Sequence, residues 1–458
     1  MTPEPEPVDL ALWFEAALLP DGWAKDVRIG VRAGRIASID VGIMRAPTDG
    51  GGGIGLPGVT NVHSHAFQRA MAGLTEARGP SDDDFWTWRE LMYRFLDRGG
   101  PDEIEAISAL AFAEMLEGGF TRVTEFHYLH NDPSGAAYAD RSEIAGRIVA
   151  AAEASGIALT LLPVFYAYSG FGALPPVRGQ RRFITDLEGF ADLVAACRRL
   201  TQDMEDARVG VAPHSLRAVS ADELAVLPGL AQGGPIHIHV AEQTKEVEDC
   251  LAWSGARPVE WLLNHAPVDE RWCLIHATHV TEAEWREVVA RGAVVGLCPI
   301  TEANLGDGIF PATAYLQAGG RFGVGTDSNV QIGLAEELRM LEYSQRLGLR
   351  GRALTADAAR STGRALFERV LAGGAQAGGA SCGLAMGQAA DIVSLDTRRL
   401  AFAGRSGDGV LDSWIFGAPT GSIASVWRAG REVVRHGRHV ARDALEARFR
   451  SALKTVLS

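Results

Sequence analysis

From residue 57 to residue 327, short Val/Ile-rich runs alternate with helical stretches eight times over, and no other feature of the chain narrows its possible folds so much. The runs fall at 57–65, 121–127, 157–166, 208–214, 236–242, 272–277, 293–298 and 321–327. Segments between them, such as 102–117, 186–200 and 283–290, carry helical spacing. Gly118, Gly156, Gly292 and Gly319 stand where helix ends favour a left-handed residue. Repeated strand–helix units build a parallel sheet. The expected fold class is therefore α/β, a (β/α)8 TIM barrel whose reactive groups gather at the C-terminal ends of its strands.

Such a barrel needs ~250 residues, and the chain has 458. The surplus lies at both ends. Residues 26–31 and 35–39, turning at Gly34, read as strands, and Gly50 to Gly53 leads on toward the first barrel run. Helices are expected at 335–347 and at 356–371, the second capped by Thr355, followed by a Gly/Ala-rich connection over 373–379. Strand-like pieces then return at 391–395, 423–427 and 432–434. Neither end can bury a core alone. We expect 1–56 and 380–458 to pair as a small flanking β-sandwich domain and 57–379 to form the barrel.

The formal net charge of −13 and pI near 5.5 exclude partners held by clustered Lys and Arg, such as nucleic acid or an anionic membrane. Cys197, Cys250, Cys273, Cys298 and Cys382 are odd in number and form no C-x-x-C pair, which predicts small core thiols in a reduced compartment. The Met1–Pro7 stretch is acidic and Pro-rich without the features of a secretory signal, and no apolar run reaches the ~18 residues that span a bilayer. A cytoplasmic protein is expected.

Four of the eight runs finish on side chains that bind metals. Residues i and i+2 of a strand share a face, so His63 and His65 present two imidazoles to one point. The fifth run carries His237 and His239, the sixth ends at His276 and the eighth in Gly325-Thr326-Asp327. Three histidines and an aspartate suit one divalent ion, zinc foremost, with an open position for water. We take His63, His65, His239 and Asp327 as the ligands and place His237, one step deeper, in the core. His127, His130 and His214 lie at strand ends and rank below these, His265 and His279 fall in helix or loop, and His436 and His439 are expected at the surface.

With these residues in view, the chain resembles the amidohydrolase superfamily, whose pattern is H-x-H after strand one, His after strands five and six, and Asp after strand eight. The run Ala390 to Asp396 also resembles the segment by which those enzymes re-enter their flanking β domain. No lysine occupies 208–214, where a carbamylated bridging ligand would sit, and the fifth run ends His239-Val240-Ala241-Glu242; both features are similar to the single-metal deaminase branch. Within it, three strings resemble the N-formimino-L-glutamate deiminase family: Asn61 to Gly73, Asp84 to Tyr93 and Glu125 to His130. Pro213-His214-Ser215 is followed by Leu216-Arg217, where nucleobase relatives carry a tyrosine.

The resemblance implies a homodimer and a small acidic substrate, bound by Arg217 and Arg89 through its carboxylates and by Gln68 and Tyr128 through hydrogen bonds. It implies that Glu242 donates a proton to departing ammonia, while His276 and Asp327 orient the attacking water and accept its proton. A deaminase of a nucleobase-like or guanidino compound is the alternative, and a catalytically silent barrel that serves as a binding protein is a third reading.

Overall fold

Strand Phe120–His127 is buried at every position, as a strand covered on both faces must be. It pairs in parallel with Val59–Ser64 on one side and with Ala158–Phe165 on the other. In this computed structural model, which describes residues 8–76 and 85–458, the Met1–Pro7 stretch and Asp84 lie outside the described residues. Ala158–Phe165 pairs onward with two short pieces, Arg208–Val209 and Ala212–Pro213. A second parallel sheet runs Ile236–Val240, Trp272–His276, Val294–Leu297, Arg321–Val324. Parallel bridges Val211–Ile236 and Ser215–His239 join the sheets at one seam, and Ser64–Asp327 joins them at the other.

The fourth run, expected as one strand over 208–214, is thus broken. Gly210 N–H donates to Leu161 on one side and Val211 N–H to Pro235 on the other, so the chain changes hydrogen-bonding partner midway. At the first-to-last seam, a Cβ on Gly325 would sit 2.7 Å from the His63 carbonyl oxygen. Only glycine lets the last strand lie this close to the histidine pair.

Beyond the last strand, the helix expected at 335–347 is Leu334–Leu349. The next is displaced: it spans Thr362–Ala377 with Ser361 as its cap, the Ser361 side chain accepting the Arg364 N–H. Thr355 caps nothing, because its own N–H and hydroxyl both donate to Glu342. The glycines at 373–374 belong to the helix and not to a connection. A Cβ on Gly373 would lie 2.0 Å from Phe322 O, so these small residues serve close packing of the helix under the strands.

Both ends of the chain enter a single nine-stranded sheet. Leu10–Leu19, Gly22–Arg32 and Arg35–Val41 form an antiparallel meander. Ile54–Pro57 joins it to Ile392–Leu395, which continues into Ile423–Arg428, Arg431–Arg435 and Arg438–His439. This sheet curls over: the rings of Phe14 and Trp427 meet at 6.0 Å, and Arg35 at the far edge bridges to Ala389. Leu12, Val27, Ile29 and Ile392 share that apolar core. His436 is exposed as expected, but His439 is buried, its Nε2 bonded to Ser155 O at 2.8 Å. All five cysteines are free. Among the described residues, no helix is long and apolar enough to cross a membrane.

Candidate active site

The C-terminal ends of the strands open onto a cleft of about 550 Å³. His65, His239, Glu242, His276 and Asp327 line it, with Gln68, Arg89, Tyr128, His214 and Arg217 around them. His63 lies just beneath, fully buried. His127 and His130 do not line it; His130 bonds Val164 O at 2.8 Å. His237 is sealed in the core with Nε2 on Ala377 O.

Strand alternation turns His63 and His65 to the same side. His63 Nε2 stands 3.0 Å from His239 Nε2 and 3.4 Å from Asp327 Oδ1, and His65 Nε2 is 3.4 Å from that same oxygen. His65 Nδ1 donates to Phe126 O and His239 Nδ1 to His214 O, both at 3.0 Å. Carbonyl oxygens only accept, so these Nδ1 atoms carry the protons and each Nε2 keeps its lone pair. Burial holds His63, His65 and His239 below the usual imidazole range, which keeps them neutral. Lone pairs converging with a carboxylate at this range repel or compete unless a cation lies among them. Neutral imidazole nitrogens plus one carboxylate are also the donor set a borderline divalent ion takes, so these residues can hold one.

Glu242 follows the fifth strand through Ala241, whose φ of +52° turns the chain out of line. The carboxylate of Glu246, fully buried, accepts the N–H groups of both Ala241 and Glu242 at 3.1 Å. Glu242 thereby reaches the cleft, 3.6 Å from His276 Nε2. Its carboxyl is pushed up to about 7, first by burial and then by Asp327 and Glu246, against His276 and Arg217. Burial pulls the His276 imidazole down, but Glu242, Glu302 and Asp327 outweigh it and raise it well above the usual range. Glu302 also fixes the ring, contacting Nδ1 at 3.2 Å while accepting the Cys298 N–H. Asp327 is held from behind by Asn329, which donates to Asp327 O and His65 O.

Gln68 Nε2 donates to Tyr128 Oη at 3.0 Å, and Gln68 Oε1 is buried without a partner among the described residues. The guanidinium of Arg89 lies 4.5 Å from the Trp86 ring and that of Arg217 lies 5.6 Å from it. Each has a buried Nε without a hydrogen-bond partner among the described residues. Two cations on one aromatic wall, facing a cleft, are prepared for an anionic guest. The structure thus gathers the ten residues assigned from the sequence as ligands, catalytic groups and substrate contacts, and leaves out the lower-ranked His127 and His130. It adds three that sequence reasoning missed: Glu246, Glu302 and Asp307, whose carboxyl is pushed up to about 9 by burial and by Glu242. A signal for the first two exists, since each lies in the first turn of a helix that starts just past a parallel strand, Ile236–Val240 for Glu246 and Val294–Leu297 for Glu302.

The amidohydrolase family profile matches residues 54–433, and the formimidoylglutamate deiminase HutF N-terminal domain matches residues 11–52. A formimidoylglutamate deiminase of Pseudomonas aeruginosa is 49% identical over 98% of this chain and 99% of its own. The chain belongs to the formimidoylglutamate deiminases of the amidohydrolase family. The crystal structure of an amidohydrolase from Brucella melitensis is 53% identical, with a TM-score of 0.95, over 98% of this chain and 100% of that one. An adenosine deaminase from Xanthomonas campestris with bound zinc shares the fold at a TM-score of 0.83 and 23% identity, over 99% of both chains.

Proposed function

We propose that this member of the formimidoylglutamate deiminases converts N-formimino-L-glutamate and water to N-formyl-L-glutamate and ammonia, a step of histidine degradation. The observation that carries this reading is the pair Arg89 and Arg217, both with an Nε unpartnered among the described residues, above a cluster of histidines, Asp327 and Glu242. A glutamate side of the substrate offers two carboxylates to two guanidiniums, and the formimino carbon is then the part left to reach Glu242. We assign the frame as a (β/α)8 barrel over 57–379 and a flanking β-sandwich from 1–56 and 380–458; the bridges at both seams and the curl of the nine-stranded sheet support this.

His63, His65, His239 and Asp327 would hold the metal, zinc in this reading, and when bound it supplies the Lewis acidity that makes water nucleophilic near neutral pH. His276 and Asp327 orient that water and receive its proton. The pull of Glu242, Glu302 and Asp327 on the His276 proton would be opposed by a divalent ion held beside it, leaving Nε2 to accept one. The water oxygen bonds to the formimino carbon, and the C=N double bond becomes single. Nitrogen leaves well only once protonated, and Glu242 is placed to deliver that proton. Gln68 and Tyr128 bind the substrate by hydrogen bonds at the cleft wall. The assembly is taken as a cytoplasmic homodimer, which light scattering of the purified protein checks.

Ammonia release from formiminoglutamate, compared with cytosine, guanine and guanidino acids, tests the assignment. Turnover of any of the other compounds at a higher kcat/KM than formiminoglutamate would sink it.

A further inference from the structure

The opposite end of the strand assembly, where the strands begin, carries a second gathering of arginines. Arg122, near the start of Phe120–His127, is 6% exposed. Its guanidinium donates to Leu159 O and Thr160 Oγ1 at 3.3 Å and to Asp206 O at 2.8 Å. These are neutral acceptors, and among the described residues Arg122 makes no ion pair. Two carboxylates stand nearby and pair with other arginines. Asp206 pairs with Arg35 at 3.1 Å and lies 3.6 Å from Arg428, and Asp391 pairs with Arg428 at 3.2 Å.

Burial, with Arg428 and Arg208 as like-charged neighbours, lowers Arg122 to about 10 against the pull of Asp391 and Asp206. A buried cation that touches only neutral acceptors is a costly arrangement, which an anionic ligand relieves. A cleft of about 550 Å³, part of it open to solvent, lies in front of it between the strand assembly and the curled sheet. Arg35 from the sheet and Arg208 from the broken fourth strand also line it, as do Thr60, Thr121 and Ser381, whose hydroxyls make no hydrogen bond among the described residues. Asp206 and Asp391 line it too, so three guanidiniums, two carboxylates and three hydroxyls surround one polar space, a net positive lining in a chain of net charge −13.

We propose that this cavity is a binding site for a small oxyanion of the phosphate or carboxylate class, held by Arg122, Arg35 and Arg208 and bridging the strand assembly to the flanking sheet. Guanidinium groups take such anions through paired N–H donors, and the hydroxyls supply further ones. The site is separate from the reaction cleft, and its existence does not depend on which compound that cleft turns over.

The test is thermal unfolding of the metal-loaded, full-length protein in inorganic phosphate, formate or acetate, each against chloride at equal ionic strength. It is run on the Arg89→Ala/Arg217→Ala background as well as on the natural chain, so that anions in the reaction cleft do not contribute. Saturable stabilisation of ~3 °C or more is expected. Phosphate alone acting would mark a phosphoryl ligand, and formate or acetate alone a carboxylate. Arg35 and Arg208 are exposed enough to replace without unfolding the chain, and Arg35→Ala/Arg208→Ala should abolish the shift. A rise shared by chloride, the absence of any saturable rise, or a rise undiminished in Arg35→Ala/Arg208→Ala overturns the site.

Discussion

Glu246 accepts the backbone N–H of Glu242 at 3.1 Å, while its other carboxylate oxygen accepts that of Ala241. Ala241 is a non-glycine residue at φ +52°, a conformation that costs ~1–3 kcal/mol unless its surroundings impose it. Glu246→Gln presents an amide N–H to one of those N–H groups and should let the turn relax. We expect kcat to fall roughly 10- to 100-fold, the equivalent of losing one or two buried hydrogen bonds to a charged acceptor. Bound metal, measured by elemental analysis, should stay at its original level. An unchanged kcat would show that the turn needs no clamp.

Removing metal with a chelator should abolish turnover and lower the melting temperature, since a ligand bound to the native state alone stabilises it. Zinc should restore both. His239→Ala should bind less than the single equivalent expected per chain. Full activity in demonstrably metal-free protein would refute the ligand assignment.

Arg217 is buried against Trp86 with an Nε that lacks a partner among the described residues. Arg217→Ala should reduce kcat/KM for formiminoglutamate by roughly 100-fold, the size of a lost charge-assisted pair. Formamidine, which has no carboxylate, should be hydrolysed equally by both proteins. An equal loss on the two substrates would mean that Arg217 maintains the site's shape and does not bind the carboxylate.

The Glu242 carboxyl, pushed up to about 7, is protonated below that value and loses its proton as pH rises through it. A group that must donate a proton is therefore progressively lost on the alkaline side, and kcat should decline above neutral pH. Glu242→Gln should retain metal, lose ~10²- to 10⁴-fold in rate and no longer show that decline. A metal-depleted Glu242→Gln protein would instead make Glu242 a ligand.

The strand rhythm was readable because buried parallel strands are short, apolar and punctuated by glycine at helix ends. The H-x-H pair was readable because alternation along a strand is strict. Other features escaped for physical reasons. The helix Thr362–Ala377 was misplaced because Gly373 resembles a flexible link in sequence, whereas its missing side chain makes room for Phe322 O. His439 looked like a surface residue because its partner, Ser155 O, comes from a distant helix end. Glu246 and Glu302 were passed over because an acid early in a helix is usually a solvated residue favoured by the helix dipole; here both point inward, as no single stretch of sequence discloses.

The seam where Gly325 lies against His63 has a consequence for how the protein comes into being. Asn329, which steadies both His65 and Asp327, stands 264 residues beyond His65. During synthesis the paired imidazoles therefore emerge long before the aspartate that completes their set, and a bare H-x-H holds metal weakly. With the proposed ligand set, metal capture would wait until the last strand docks on the first, and the metal content of the purified protein would report on completed folding.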